Sequence, residues 1–310
     1  MTAPSLAADH WRAADGARLP YRAWLPEGPP VAVVVAVHGM NDYSNAFDAP
    51  GKALAAKGIA TYAYDQRGFG RGPHPGRWSD TADMAADLRM AAALVHARHP
   101  AIPLFLLGES MGGAVAIEAV ASRPPPEVTG VILSAPAVWG RGAMGIIQHA
   151  ALWLAYHIAP GWTLTGKGLN IQPSDNIEML RALSRDPLVI KGTRVDAIHG
   201  LVDLMDAAQV DAARVDLPTL VLYGARDEII PPAPTWAAIA SLPHLGSTQR
   251  AAFYPNGWHM LLRDLQAQVV IDDIAAWIGD RAQPLPSGAD RVADERLAAP
   301  AGRAREAQTR

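Results

Sequence analysis

The chain contains no cysteine, which excludes a disulfide framework, a thiolate zinc site and a cysteine nucleophile. It has no excess of either charge: 27 basic and 30 acidic residues leave a formal net charge of -3. Gripping a phosphate backbone needs a basic excess, so nucleic acid is not an expected partner. Long apolar runs are also missing. The purest, Val31 to Val37, falls far short of the roughly 20 residues that span a bilayer as a helix. Met1 to His10 holds no basic stretch followed by an apolar one, so it does not read as a secretory signal. The expected compartment is the cytoplasm.

What the sequence does have is apolar mass, with 50% hydrophobic and 18% charged residues over 310 positions, enough for a large core. Short β-branched runs alternate with segments of helical period, the pattern of an α/β fold with a mostly parallel sheet covered by helices on both faces. Strands are expected at 31–37, 59–64, 103–108, 130–134, 218–223 and 249–254, with an antiparallel edge strand at 21–25. Helical stripes run through Met84, Leu88, Ala91 and Val95, and through Leu262, Leu265, Val269 and Trp277. Residues 137–215 contain helical segments and no convincing strand, so they read as a helical insertion, leaving 1–136 and 216–280 as the core. From Arg281 the composition shifts to Ala, Pro, Gly, Arg and acidic residues, which predicts a disordered tail over 281–310.

The strongest local signal is Gly108-Glu109-Ser110-Met111-Gly112-Gly113, placed between an expected strand and an expected helix. Such a strand-to-helix turn forces strained dihedrals on the serine and lifts its hydroxyl above the sheet, where the helix N-terminus favours developing negative charge. A serine needs a base, and the base an orienting acid. Asp227 follows the strand ending at Tyr223, and His259 lies in the loop after the next strand, giving the order Ser, Asp, His that this architecture uses. Rival acids are placed less well: Asp216 precedes its strand, and Asp203, Asp206 and Asp211 sit on an expected helix of the insertion. His244 precedes a strand and His199 lies in the insertion, which leaves His259 as the base. Oxyanion donors are expected from the backbone N–H groups of Met111 and of Met40, the latter in the loop His38-Gly39-Met40-Asn41-Asp42.

These blocks resemble the monoacylglycerol lipase and lysophospholipase-like family of α/β-hydrolase fold serine hydrolases. His38 to Ser44 is similar to its His-Gly loop, Tyr64-Asp65-Gln66-Arg67-Gly68-Phe69-Gly70 to its Asp-x-x-Gly-x-Gly turn, and Leu106 to Gly113 to its elbow. Ser184-Arg185-Asp186-Pro187-Leu188 resembles the Asp-Pro segment of its cap, while Tyr223 to Asp227 and Trp258 to Leu262 match its acid and base blocks. Glu109 departs from the histidine common in the elbow, and Met40-Asn41-Asp42 replaces a run of smaller residues. The resemblance spans about residues 10 to 280. It implies a carboxylic ester hydrolase with a mobile cap, acting on monoacylglycerol-like or other lipid esters without metal or organic cofactor.

Alternatives are a short-chain carboxylesterase, a perhydrolase, an aminopeptidase and a non-catalytic ligand-binding protein. Residues 143–158, within the insertion, are apolar almost all round if helical. Two readings stay open there: a helix buried against the body or a second copy, and one that covers the pocket with one face and offers the other to an acyl chain or a lipid surface.

Overall fold

The chain begins with three antiparallel strands, β1 (Ser5–Leu6), β2 (His10–Arg12) and β3 (Arg18–Trp24). It continues through β4 (Ala32–Val37), β5 (Ile59–Tyr64), β6 (Leu104–Glu109) and β7 (Gly130–Ser134). Two-residue strands β8 (Thr163–Leu164) and β9 (Thr193–Arg194) pair with each other inside the insertion, and β10 (Thr219–Gly224) and β11 (Gln249–Tyr254) complete the set. This is a computed structural model, and it describes residues 3–122, 125–166, 168 and 170–298. The main sheet has the order β1-β2-β3-β5-β4-β6-β7-β10-β11, parallel from β5 to β11.

The alternation of β-strand side chains divides the core in two. Val33, Val35 and Val37 point to one face, where α2 (Thr81–Arg98), α3 (Met111–Ala121) and α6 (Val195–Asp211) pack. Val34 and Ala36 point to the other, toward α1 (Asp48–Ala55) and α8 (Ala267–Gly279). The remaining helices are α4 (Ile146–Ile158) and α5 (Ile177–Arg185) in the insertion, α7 (Pro232–Ala240) and α9 (Ala289–Ala298). Apolar demand on both faces explains why β4, β5, β6, β7 and β10 are buried along their whole length. Among the described residues no helix is long and apolar enough to cross a membrane.

Met84, Leu88, Ala91 and Val95 form the buried stripe of α2 as expected, and Asp80 caps it by accepting the Ala82 N–H at 3.0 Å. The second stripe is shifted. Turns occupy the chain after His259, so α8 begins only at Ala267 and buries Val270, Ile271, Ile274, Trp277 and Ile278, while Leu265 is 71% exposed.

The disordered tail expected over 281–310 is contradicted in its first part. Residues 281–298 are placed by α9, which packs against β11 and buries Leu285, Ala289 and Ala293. Asp290 fixes the approach, accepting from the Leu285 N–H at 3.0 Å and from Arg250 Nη1 at 3.2 Å. A few buried side chains and the Arg250–Asp290 ion pair outweigh a composition that lacks a strong apolar stripe. Residues 299–310 lie outside the described residues.

Candidate active site

In open parallel sheets, ligands bind beyond the carboxyl ends of the strands where the strand order reverses. Here β5 follows β4 on one side and β6 lies on the other, so the crevice opens above the ends of β4 and β6. The loop after β4 begins His38-Gly39-Met40, and the turn after β6 is Ser110. A methyl group on Gly39 would stand 3.3 Å from Ser110 Cβ and 3.9 Å from its Oγ, so this loop lies directly against the serine.

Ser110 sits at φ 55° and ψ -117°, a backbone conformation that side chains rarely adopt. It is held there by its own N–H, which donates to Ser134 O at 2.9 Å, and by its carbonyl, which accepts from Gly113 and Ala137 at 2.9 Å each. Met111 opens α3, so its N–H is among the helical donors with no partner inside the helix.

The loop after β4 is locked from behind by a buried histidine. His38 Nδ1 donates to Gly39 O at 2.8 Å, and its Nε2 accepts the Gln66 N–H at 3.1 Å. Burial lowers the His38 pKa below the ordinary value, which keeps the ring neutral and able to accept at Nε2. Gln66 Nε2 returns a bond to His38 O at 2.9 Å. The insertion is tied to the same loop: Asn41 Nδ2 donates to Thr193 Oγ1 at 2.7 Å, and Tyr43 donates its hydroxyl to Asp186 Oδ2 at 2.7 Å. Burial and the facing Asp186 together raise the Tyr43 pKa, so it remains a donor.

Asp227 and His259 meet. The imidazole Nδ1 donates to Asp227 Oδ2 at 2.9 Å, with the ring 4% exposed. Asp227 Oδ1 accepts the backbone N–H groups of Ile229 at 2.8 Å and Ile230 at 2.9 Å, which fixes the carboxylate and leaves Oδ2 for the histidine. A carboxylate only accepts, so Nδ1 carries the proton and Nε2 is left as the basic nitrogen.

The His259 segment is pinned to both core and insertion. Trp258 N–H donates to Asp264 Oδ2 at 2.8 Å, Ser174 Oγ donates to Asp264 Oδ1 at 2.6 Å, and Met260 N–H donates to Pro173 O at 3.0 Å. Four residues past His259, Arg263 reaches Glu109, the neighbour of Ser110, at 2.6 Å. The base-bearing segment therefore touches the elbow.

None of the rival acids or bases joins this group. Asp216 pairs with His244 at 2.5 Å before β10, Asp203 and Asp206 bind Arg141, and Asp211 binds Arg214. His199 stacks on Tyr156 with ring centres 4.0 Å apart. Sequence reasoning missed Gln66 and Arg263. Gln66 gave no signal beyond the Asp-x-x-Gly-x-Gly turn, whereas Arg263 was implied by two unexplained carboxylates, Asp42 and Glu109, close to one site.

Residues 28–266 match the family described as serine aminopeptidase, S33 (Hydrolase_4). The chain is 28% identical over 275 residues to a monoacylglycerol lipase of Mycolicibacterium smegmatis, covering 85% of this chain and 93% of the relative. It is also 28% identical to a monoglyceride lipase of Rattus norvegicus, covering 86% of this chain and 89% of the relative. Among solved structures, a soluble variant of monoglyceride lipase from Saccharomyces cerevisiae, in complex with a substrate analogue, superposes with a TM-score of 0.73 at 21% identity, covering 91% and 96% of the two chains. A Paleococcus ferrophilus monoacylglycerol lipase gives a TM-score of 0.70 at 23% identity, covering 84% and 98%. With its reversed strand order, strained serine and Asp-His pair, the chain belongs to the serine aminopeptidase S33 family of α/β-hydrolases, on its monoacylglycerol-lipase-like side.

Proposed function

We propose that the protein is a serine hydrolase of carboxylic esters, with lipid esters of the monoacylglycerol type as its substrates. Ser110 is the nucleophile, His259 the base, Asp227 the orienting acid, and the N–H groups of Met40 and Met111 the oxyanion donors. The observation that carries this reading is the Asp227–His259 contact at the end of the sheet where Ser110 is held in a strained turn.

His259 Nε2 takes the Ser110 proton as Oγ attacks the ester carbonyl, and the two N–H groups stabilise the oxyanion. Collapse breaks the bond to the alcohol, which leaves with the proton from His259. Water, deprotonated by the same imidazole, attacks the acyl-enzyme and releases the carboxylic acid.

In this reading the lid is the part of the insertion 137–215 that precedes α6, since α6 itself packs on the sheet with α2 and α3. α4 rests on the body through half-buried Leu152 and through Tyr156, which stacks on His199 of α6, while its outer face leaves Ile146 89% and Ile147 85% exposed, with Trp153, Leu154 and Ile158 exposed beside them. Apolar area of this kind in a short helix suits the headgroup boundary of a bilayer. Co-sedimentation with phosphatidylcholine vesicles, lost in an Ile147→Ser, Trp153→Ser variant, supports peripheral contact, and equal binding by both chains refutes it.

A fluorophosphonate probe is expected to label the wild type and not Ser110→Ala, whose turnover falls by on the order of 10⁴ or more. A substrate panel then separates the classes. Long-chain monoacylglycerols outrunning p-nitrophenyl acetate support the lipid-ester reading. A sharp short-chain optimum makes the protein a carboxylesterase, and preference for aminoacyl arylamides makes it an aminopeptidase.

A further inference from the structure

Three charged side chains are buried together beside the candidate site. Arg263 donates from Nη1 to Asp42 Oδ2 at 2.8 Å and from Nη2 to Glu109 Oε1 at 2.6 Å, and none of the three is more than 8% exposed. Each comes from a different segment. Asp42 lies in the turn after β4, two residues past Met40. Glu109 ends β6 immediately before Ser110, and Arg263 lies in the turns after β11, four residues past His259. The cluster therefore joins the three pieces of chain that carry the oxyanion donor, the nucleophile and the base.

Stability alone gives no reason to keep such a group, because a buried ion triad is often no better than a well-packed apolar trio. Geometry does. A guanidinium presents its N–H bonds in a fixed plane, so two carboxylates bound to its two ends are held at a set separation and orientation. Burial opposes the charge on Arg263, but Glu109 and Asp42 outweigh it, and the pKa is raised above that of an ordinary arginine. Glu109 Oε2 and Arg263 Nε make no hydrogen bond among the described residues, so the compensation of Glu109 by Arg263 runs through the Nη2–Oε1 contact. Glu109, which departs from the family pattern, and Asp42, at the end of the departing Met40-Asn41-Asp42 run, thus meet on one arginine.

We propose that Arg263 is a positioning residue, whose two-pronged contact with Asp42 and Glu109 holds the Met40 N–H and the Ser110 hydroxyl in register with His259. This rests on the ester-hydrolase reading above. Without the guanidinium, two carboxylates face each other in a buried space, and their separation moves the Met40 turn away from the serine. The loss falls on the transition state, where the oxyanion donor acts, and not on substrate binding.

The test measures kcat and KM on p-nitrophenyl butyrate, and the rate of fluorophosphonate inactivation, for wild type, Arg263→Met, Arg263→Lys, Asp42→Asn and Glu109→Gln, with circular dichroism confirming the fold. Arg263→Met is expected to lose about 10²-fold in kcat, the scale set by a misplacement of about 1 Å. Its KM should stay within about threefold and its inactivation rate should fall in parallel. Arg263→Lys should recover part of the loss, because an ammonium can meet one carboxylate but not fix both. A purely structural role predicts a lower Tm with unchanged kcat in the folded fraction, and that result overturns the proposal. Should Arg263→Met not fold, the other substitutions decide: unchanged kcat in Asp42→Asn and Glu109→Gln overturns it, and a fall in kcat at constant KM supports it. A wild-type chain that neither hydrolyses esters nor takes label at Ser110 sinks the hydrolase reading and this proposal with it. An active wild type with an indifferent Arg263→Met sinks only the proposal.

Discussion

Replacing Gly112 by alanine probes how rigidly the elbow is set against the loop after β4. Gly112 lies in the first turn of α3, two residues past Ser110, and a methyl group there would come within 2.1 Å of Val37 O and 2.8 Å of His38 O. Both are backbone atoms, so no side-chain rotation gives relief. Restoring even 3.0 Å to Val37 O requires the helix start and the strand end to part by about 0.9 Å. That displacement passes to Gly39 and Met40 on one side and to Ser110 and Met111 on the other. A misplacement of about 1 Å at reacting groups costs on the order of 10²-fold in rate, and overpacking costs about 1–3 kcal/mol of stability. Gly112→Ala is therefore expected to lower kcat about 100-fold, with KM within about threefold of wild type. The assay is steady-state hydrolysis of p-nitrophenyl butyrate, with fluorophosphonate titration to count competent sites. Gly28→Ala is the control, since a methyl group there meets nothing within 4 Å. A folded Gly112→Ala protein whose kcat lies within threefold of wild type would falsify this account, because backbone crowding would then not reach the site.

Asp227→Asn should keep the fold and lose about 10⁴ in kcat, since the amide oxygen can still accept from Ile229 and Ile230 while the imidazole loses the partner that fixes its tautomer. Retention of even a tenth of wild-type turnover argues against Asp227 as the orienting acid. Burial, reinforced by Asp211 and partly offset by Arg214, pushes the Glu118 carboxyl from 4.5 up to about 7. Between those values the native chain binds more protons than the unfolded one, so this group's contribution to stability falls as pH rises through the window. Glu118→Gln is neutral throughout and is expected to gain stability over wild type from pH 4.5 to pH 8 in urea unfolding; a constant difference across that range contradicts the assignment. Ending the chain after Asp280 removes Leu285 from its buried place, a loss of about 2 kcal/mol, at roughly 2–4 °C per kcal/mol. A Tm drop of at least about 4 °C in calorimetry is expected, and none at all means α9 contributes nothing to the folded state.

The central strands were legible because apolar runs such as Ala32 to Val37 are buried on both faces, and the punctuation after them marked where Ser110, Asp227 and His259 emerge. The Asp227–His259 contact followed from strand order alone. Other features depend on tertiary partners that leave no periodic trace. β1 and β2 are too short to show a period, and the turns after His259 shift the phase of α8. Leu285, just before α9, and Ala293 within it join core clusters that include β11, about forty residues earlier. Arg263 lies among Leu261 and Leu262, where a charge reads as exposed until Asp42 and Glu109 are seen to converge on it.

β11 is the last strand of the main sheet, and the helix placed against it comes from the tail. An open margin of this kind offers unpaired amide and carbonyl groups to any passing chain. At the opposite margin the sheet ends in a strand of only two residues, a poor template. Preparations clipped near residue 280 should therefore be lost to self-association during concentration and storage well before they melt, and proteolytic trimming of the tail becomes a hazard to shelf life.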